Sequence, residues 1–196
     1  MEVTFIRTGT TRYASRARRV DGVTVHVPGY ENPVFLPHDL AHFLVEREYM
    51  PDGGFWVCVA AGAMFSGMYV LSGRQRPHAR ERSRAVLRAA RWTGTNAECL
   101  VGVLHRIAHE RLDETWHVAE ALLRREWRCR EAARRDLTAA DVHKVCTELR
   151  SAADPWAALP VAGELTFLWH SSSLSRGRAG KYEPRSETLA RSFRRL

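Results

Sequence analysis

The sequence predicts an α+β fold that is mostly α-helical, with a small antiparallel sheet formed by the N-terminal strands and a C-terminal strand. Short segments of alternating, β-branched residues fill the first thirty positions. Longer segments with few turn residues fill the middle of the chain, and one more alternating segment, residues 164–169, follows Gly163. Strands at both ends with helices between them favour a single sheet, in which the last strand returns to the N-terminal strands.

The N-terminal strands are predicted from residue alternation and from one turn signal. Residues 3–6 alternate, and valine recurs with a period of two over residues 23–27. The dipeptide Asp21-Gly22 precedes this second run, and Asp-Gly between β-branched runs is a strong signal for a two-residue hairpin. We expect Pro28-Gly29 to end this part of the sheet.

The middle of the chain predicts five helices. They cover residues 38–49, 55–70, 79–92, 97–135 and 139–153. Pro37 favours the start of the first helix, since proline suits the first turn. The second is rich in small residues, so we expect it to be the central buried helix. Gly102 is the only glycine or proline in residues 97–135, so the fourth helix is expected to exceed 35 residues.

The composition is that of a globular protein. The chain has 196 residues, 45% hydrophobic and 27% charged, which excludes collagen-like, low-complexity, disulfide-scaffold and wholly disordered classes. We predict one domain over residues 1–170 and a disordered basic tail over residues 171–196. That tail carries +5 of the net charge of +8, and only two of the 30 basic residues are lysines. Such arginine-rich usage is typical of bacterial genomes of high GC content.

The cysteines and the apolar segments indicate a cytoplasmic protein. Cys58, Cys99, Cys129 and Cys146 contain no CxxC pair, which argues against a zinc ribbon or a thioredoxin-type site and favours reduced thiols. The N-terminus has no apolar stretch of signal-peptide length. The longest apolar run, residues 55–65, contains glycines and falls short of the roughly 20 residues of a membrane span.

The segment His38-Asp39-Leu40-Ala41-His42 carries the strongest chemical signal. In a helix, His38, His42 and Glu46 fall within a stripe about 80° wide. Two imidazoles and a carboxylate can bind one divalent metal, Zn or Fe(II). Asp39 lies about 100° from the stripe, where it could bind the metal from the side, cap the helix or orient an imidazole. The alternative is an unliganded polar helix face.

A second histidine pair, His105 and His109, could add metal ligands. Both share a helix stripe with Glu98 and Leu112, so they point at least partly inward. Histidines on facing helices form metal sites in bundles, and the alternative is that both are core or boundary residues. The candidates for an apolar wall that receives a substrate are Phe43, Phe55, Trp56 and Phe65.

The HDxxH element resembles the zinc motif of the ubiquinone-biosynthesis C1 decarboxylase/hydroxylase family, whose helical proteins act on a prenylated benzoate ring. The resemblance covers five residues and implies that His38, Asp39 and His42 belong to a zinc site. That family has a glutamate twelve residues after the second histidine, where this chain has Gly54. The implied fourth ligand is therefore missing or replaced by Glu46. The element is also similar to the His-Asp dyad of HD-domain phosphohydrolases, whose upstream histidine lies on a helix, whereas His26 lies in a predicted strand.

Three functions from different classes follow from these patterns. The first is a metal-dependent enzyme acting on a small hydrophobic or aromatic substrate, with the metal polarising a carbonyl or activating water. The second is a non-catalytic nucleic-acid-binding module that uses the arginine-rich stretches 74–91 and 124–135. The third is a protein-interaction or homo-oligomeric module that uses a Leu/Trp stripe over residues 112–127. The sequence contains no nucleophile-elbow, P-loop or dinucleotide-binding glycine motif.

Overall fold

The computed structural model describes residues 1–31, 35–50, 53–127 and 137–170, and it confirms the α+β class. The described strands form one antiparallel sheet in the order β4-β3-β2-β1-β5. They are β1 (Glu2–Arg7), β2 (Arg12–Arg18), β3 (Thr24–Glu31), β4 (Tyr69–Ser72) and β5 (Glu164–Leu168). The C-terminal strand pairs with β1, with Val3 opposite Phe167, so both ends of this range of the chain meet in the sheet as predicted.

The described helices pack mainly against one another, and the first of them also contacts the sheet. They are α1 (His38–Tyr49), α2 (Phe55–Ala60), α3 (Ala79–Ala89), α4 (Arg91–His109), α5 (Trp116–Glu126) and α6 (Ala139–Ala157). Helix α4 contacts α1, α5 and α6. The ring of Phe5 on β1 contacts Phe43 of α1 and Trp56 of α2 at centroid distances of 6.0 and 5.7 Å. The core therefore lies between the sheet and the helices, and α1 is anchored on both sides.

The β2–β3 hairpin forms at the predicted Asp-Gly dipeptide, but Arg19 pairs with Val23, so the loop has three residues, 20–22, instead of two. Gly22 takes a φ of 81°, a conformation that glycine adopts without steric cost. The backbone N–H of Arg19 donates to the carbonyl of Val23 at 2.9 Å, and the Arg19 side chain pairs with Asp21 at 3.2 Å. The turn is therefore held by backbone and side-chain contacts.

Strand β3 does not end at Pro28-Gly29, so that part of the prediction is wrong. The strand continues to Glu31. A Cβ at Gly29 would lie 2.4 Å from the carbonyl oxygen of Tyr13 on β2. The missing side chain therefore permits close strand contact here, rather than marking a turn.

The helix predicted over residues 55–70 is wrong beyond Ala60, where α2 ends. Gly62 and Gly67 take φ values of 98° and 80°, a left-handed backbone that interrupts a right-handed helix. The chain then enters β4 at the edge of the sheet, a strand that the sequence did not predict. The small residues of this segment thus serve turns as well as packing.

Helix α4 begins earlier than predicted. It runs from Arg91 through residues 93–96, which we expected to be a break. The side-chain oxygens of Thr93 and Thr95 donate to the carbonyls of Ala90 and Arg91 at 2.9 and 3.3 Å. These polar residues therefore bond back to the preceding turn instead of capping a new helix.

The unbroken helix predicted over residues 97–135 is also wrong. Helix α4 ends at His109, Arg111 takes a left-handed φ of 55°, and a 3₁₀ turn over Leu112–Glu114 leads into α5. The guanidinium of Arg150 donates to both carboxylate oxygens of Asp113 at 2.8 Å. A tertiary ion pair thus accompanies a break that no glycine or proline marks.

Helix α6 starts as predicted and ends later. Thr138 and Asp141 form a reciprocal capping box, in which each side chain accepts from the other residue's backbone N–H at 3.2 and 2.9 Å. The helix continues through Pro155 to Ala157, whereas α3 stops at Ala89, short of the predicted residue 92.

The predicted interaction stripe over residues 112–127 belongs to the core. Leu122, Leu123 and Trp127 are buried, and Leu112 and Trp116 pack against them. This stripe therefore stabilises the fold. Within the described ranges, every helix is too short or too polar to cross a membrane. The predicted tail, residues 171–196, lies outside the described residues.

Candidate metal centre

Helix α1 places His38 and His42 one turn apart at its N-terminal end. The His38 ring is partly exposed, whereas that of His42 is buried. The two Nε2 atoms lie 3.1 Å apart. The spacing of four residues on one helix therefore brings two imidazole nitrogens to one point, as the sequence predicts.

A carboxylate from α4 completes this cluster. Glu98 Oε2 lies 3.1 Å from Nε2 of His38 and 3.3 Å from Nε2 of His42. One ligand atom from each of the three residues lies within 4.8 Å of the others. Among the described residues, this is the one group of His, Cys, Asp and Glu side chains with such spacing, and it could hold a metal ion.

Glu46, a predicted ligand, lies on the other side of the His42 ring. Its Oε1 accepts from His42 Nδ1 at 2.7 Å and from the backbone N–H of Phe55 at 2.7 Å. Its Oε2 accepts from the N–H of Trp56 at 2.8 Å. A metal ion bound at Nε2 of His42 would leave the proton on Nδ1, where Glu46 accepts its hydrogen bond. A carboxylate behind an imidazole orients metal-bound histidines in the same way.

Gly54 makes room for this arrangement. Its φ is 103°, and a Cβ at this position would lie 2.3 Å from Cδ of Glu46. Gly54 stands where the HDxxH resemblance implies a glutamate ligand, and in this fold the carboxylate of Glu46 occupies the space for any side chain. The carboxylate next to His38 and His42 is that of Glu98 on α4.

The charges of the cluster compensate one another. Burial alone lowers the pKa of His42, but the hydrogen bonds and charges of Glu46 and Glu98 outweigh burial and raise this pKa to about 9. Hydrogen bonds from His38 and His42 hold the pKa of Glu98 well below its usual value. Without an ion, the cluster is an imidazolium flanked by two carboxylates, an environment that also suits a cation.

Asp39 lies beside the cluster but outside the three-ligand group. The residue is 6% exposed, and its backbone carbonyl accepts from Trp56 Nε1 at 2.8 Å. Its Oδ2 has no hydrogen-bond partner among the described residues. Burial raises the pKa of Asp39 to about 6, although the neighbouring imidazoles of His38 and His42 oppose this. Asp39 is thus a buried carboxyl group close to the ligands.

The predicted additional ligands, His105 and His109, lie farther along α4. Both rings contact Phe35, at centroid distances of 5.4 and 5.3 Å. Nε2 of His105 is buried and has no partner among the described residues, and burial lowers the pKa of this histidine. The structure does not bring this pair into the group formed by His38, His42 and Glu98.

A cavity of about 230 Å³ adjoins the cluster, and His42 and Glu98 are among its lining residues. The remaining lining residues are Gly54, Phe55, Cys58, Phe65, Leu87, Ala90, Arg91 and Gly94. Of the predicted substrate wall, Phe55 and Phe65 line the cavity with ring centroids 4.7 Å apart. Phe43 and Trp56 are fully buried in the core instead. Burial raises the pKa of the Cys58 thiol to about 11, so its thiol is neutral.

Comparison with known proteins gave no match to a family model, to a curated protein or to a solved structure. The sequence patterns did not predict Glu98 as a metal ligand. The available signal was its place on the stripe of His105, seven residues and about two helical turns away.

Proposed function

We propose that this protein is a metal-dependent enzyme in which His38, His42 and Glu98 hold one Zn or Fe(II) ion. The observation that carries the proposal is the convergence of three ligand atoms from two helices, next to a cavity that His42 and Glu98 line. Two imidazoles and one carboxylate form the donor set of catalytic zinc sites and of 2-His-1-carboxylate iron sites. Both kinds of site keep a coordination position open for water or substrate.

The surroundings of His42 support a built site over a chance cluster. A buried imidazole needs its second nitrogen satisfied, and the fully buried Glu46 provides this acceptor. The same carboxylate is fixed by two backbone N–H groups at the start of α2. Glu46, held by these two N–H groups, therefore fixes the orientation of the His42 ring before any ion binds. A metal ligand requires such preorganisation.

The chemistry that suits this site is activation of a carbonyl group or of water. A bound Zn or Fe(II) ion would supply Lewis acidity at the end of the cavity. Asp39 can hold a proton nearby, since burial raises the pKa of its carboxyl group to about 6. Glu46 keeps His42 oriented and is itself shielded from the cavity by the imidazole and by Gly54.

The cavity favours a small hydrophobic or aromatic substrate. Its volume of about 230 Å³ exceeds the roughly 150 Å³ of an apolar cavity that binds benzene. Phe55, Phe65 and Leu87 supply apolar walls. A single ring or a short branched chain with one polar group, directed at His42 and Glu98, fits these walls.

Metal content tests the proposal. Tag-free protein, Glu98→Gln and Glu110→Gln are reconstituted with Zn²⁺, or with Fe²⁺ under anaerobic conditions, and analysed by plasma mass spectrometry. Glu98 is 61% exposed, so the isosteric change leaves the core intact. Glu110 is the matched control, because it removes an equal charge at the end of α4, where it pairs with Arg106 at 3.0 Å.

We expect about one ion per chain in the wild type and in Glu110→Gln, and a large loss of bound metal in Glu98→Gln, because one of three ligands is weakened. Two results would overturn the proposal. One is the absence of bound Zn and Fe after both reconstitutions. The other is equal metal retention by Glu98→Gln and Glu110→Gln.

A further inference from the structure

Helix α3 and its flanking residues concentrate positive charge on one part of the surface. Residues 73–91 contain seven arginines and a single acidic residue, Glu81. Arg80, Arg84 and Arg88 occupy successive turns of α3 and are all exposed. Residues four apart lie about 6 Å from one another along a helix axis and point in similar directions. We call these three residues the arginine stripe.

The arginine stripe is uncompensated, unlike most arginines elsewhere in the fold. The arginines within ion-pair distance of a carboxylate are Arg16, Arg19, Arg47, Arg106, Arg111, Arg124, Arg125 and Arg150. In the part of the chain that the structure describes, Arg80, Arg84 and Arg88 have no such partner and donate no hydrogen bond. The guanidinium groups of the stripe thus remain available to an external anion.

The exposed face of α3 also lacks the large apolar residues that protein interfaces and membrane-binding helices use. Apart from the arginines it presents Glu81, Ala85 and Ala89. Val86 and Leu87 are partly buried, and Ser83 is buried, where its hydroxyl accepts from the N–H of Met64 at 2.9 Å. Protein interfaces bury a central apolar patch, and membrane-surface helices insert an apolar face. The helix itself offers neither, although the partly buried Met64, Met68 and Val70 line a cavity beside Arg80 and Arg84. The charge of α3 therefore suits a partner that presents mainly negative charge.

We propose that the arginine stripe is a nucleic-acid-binding surface that contacts the phosphate backbone. Guanidinium groups match phosphate oxygens in charge and in geometry, and regular spacing along a helix suits a partner with regularly spaced charges. Leu87 and Arg91, at the end of this segment, line the cavity of the candidate metal centre. The proposal does not depend on a bound metal.

Fluorescence anisotropy of the full chain with labelled DNA tests this surface. The probes are a mixed-sequence single strand of about 20 nucleotides and the corresponding duplex, titrated in EDTA at several salt concentrations. The stripe variant is R80Q/R84Q/R88Q. The control variant, R111Q/R124Q/R125Q, removes the same charge from exposed arginines that pair with glutamates. Both variants retain the basic residues 171–196, and circular dichroism checks that both are folded.

We expect the wild type to bind with an affinity that falls as salt increases, because phosphate contacts release counterions. The stripe variant should lose about tenfold or more in affinity. The slope of its log affinity against log salt concentration should also be shallower, by the amount that corresponds to about two to three phosphate contacts. The control should stay within about twofold of the wild type. Equal losses in the two variants would overturn the proposal, since net charge alone would then govern binding. Wild-type affinity in the stripe variant, or no binding of either probe at low salt, would also overturn it.

Discussion

At the scale of single residues, Glu46 shows how one buried side chain ties the candidate site to the fold. Its two oxygens accept hydrogen bonds from His42, Phe55 and Trp56. The donors of His42 and Trp56 are buried, and an unsatisfied buried donor costs about 1–3 kcal/mol. The carboxylate therefore caps α2 and orients His42 at once. A change that displaces Glu46 should weaken the fold and metal binding together.

Gly54→Ala is the sharpest test of this coupling. The new Cβ would lie 2.3 Å from Cδ of Glu46, at a φ of 103°. We expect the free energy of unfolding to fall by about 2–5 kcal/mol, from backbone strain and displaced packing. Zn²⁺ affinity should fall by about 10- to 100-fold, because His42 loses its acceptor. Denaturant unfolding of the metal-free protein and a chelator-competition titration measure the two effects.

The matched control for this change is Gly102→Ala. Gly102 lies within α4, and a Cβ there meets nothing within 4 Å. Because alanine favours the helix, this variant should equal the wild type in stability or exceed it by up to about 1 kcal/mol. Metal affinity should not change. Similar stability of the Gly54→Ala and Gly102→Ala proteins would refute the role assigned to Gly54 and Glu46.

At the scale of elements, the ion pair of Asp113 and Arg150 joins the turn between α4 and α5 to α6. The Asp113 side chain is almost fully buried. Burial alone raises the pKa of Asp113, but the hydrogen bonds and charge of Arg150 outweigh it and lower the pKa below 3.8. Two other titratable groups face this carboxylate. They are His143, with Nδ1 at 3.1 Å, and Cys146, whose pKa burial raises to about 12.

The lowered pKa predicts a pH-dependent stability contribution. Because the folded state favours the carboxylate, the pair stabilises the fold above the unfolded pKa of about 4. This contribution is lost as the pH falls through the folded pKa. The wild type should be more stable than Asp113→Asn by about 1–3 kcal/mol between pH 5 and 7. The difference should shrink below about pH 4.

Denaturant unfolding of both proteins across this pH range checks the prediction. The comparison is repeated in a His143→Gln background, which removes the exposed imidazole that also faces Asp113. In that background, the stability difference between the proteins with and without the Asp113 carboxylate should still shrink below about pH 4, since Arg150 supplies the main contacts. A difference that stays constant down to pH 3 would show that the Asp113 carboxylate is not favoured in the folded state.

At the scale of the whole molecule, local signals predicted most of the sheet and the first helix. The signals of the Asp21-Gly22 turn and of the alternating valines depend only on neighbouring residues, so the folded chain contains the turn and the strand that they predict. The breaks in the middle of the chain were not predictable in this way. The left-handed Arg111 has no local signal, and the accompanying contact to Asp113 comes from α6, 37 residues away along the chain.

The candidate site shows the same limit. His38 and His42 meet because helix geometry alone brings them together. Glu98 joins them only through the packing of α4 against α1, across more than 50 residues of sequence. Glu46 lies on the histidine stripe in the sequence, but the N–H groups of α2 draw its carboxylate away from the cluster. Tertiary packing, which spacing does not encode, therefore decided which carboxylate faces the histidines.

X-ray absorption at the zinc edge of the Zn-loaded protein tests the central claim most directly. The account predicts two imidazole nitrogens and further oxygen ligands at about 2.0–2.2 Å, with no sulfur shell near 2.3 Å. These ligands correspond to His38, His42 and Glu98, while Cys58, which lies outside this group, stays unbound. A sulfur shell, or fewer than two bound imidazoles, would contradict the assignment of this cluster as the metal centre.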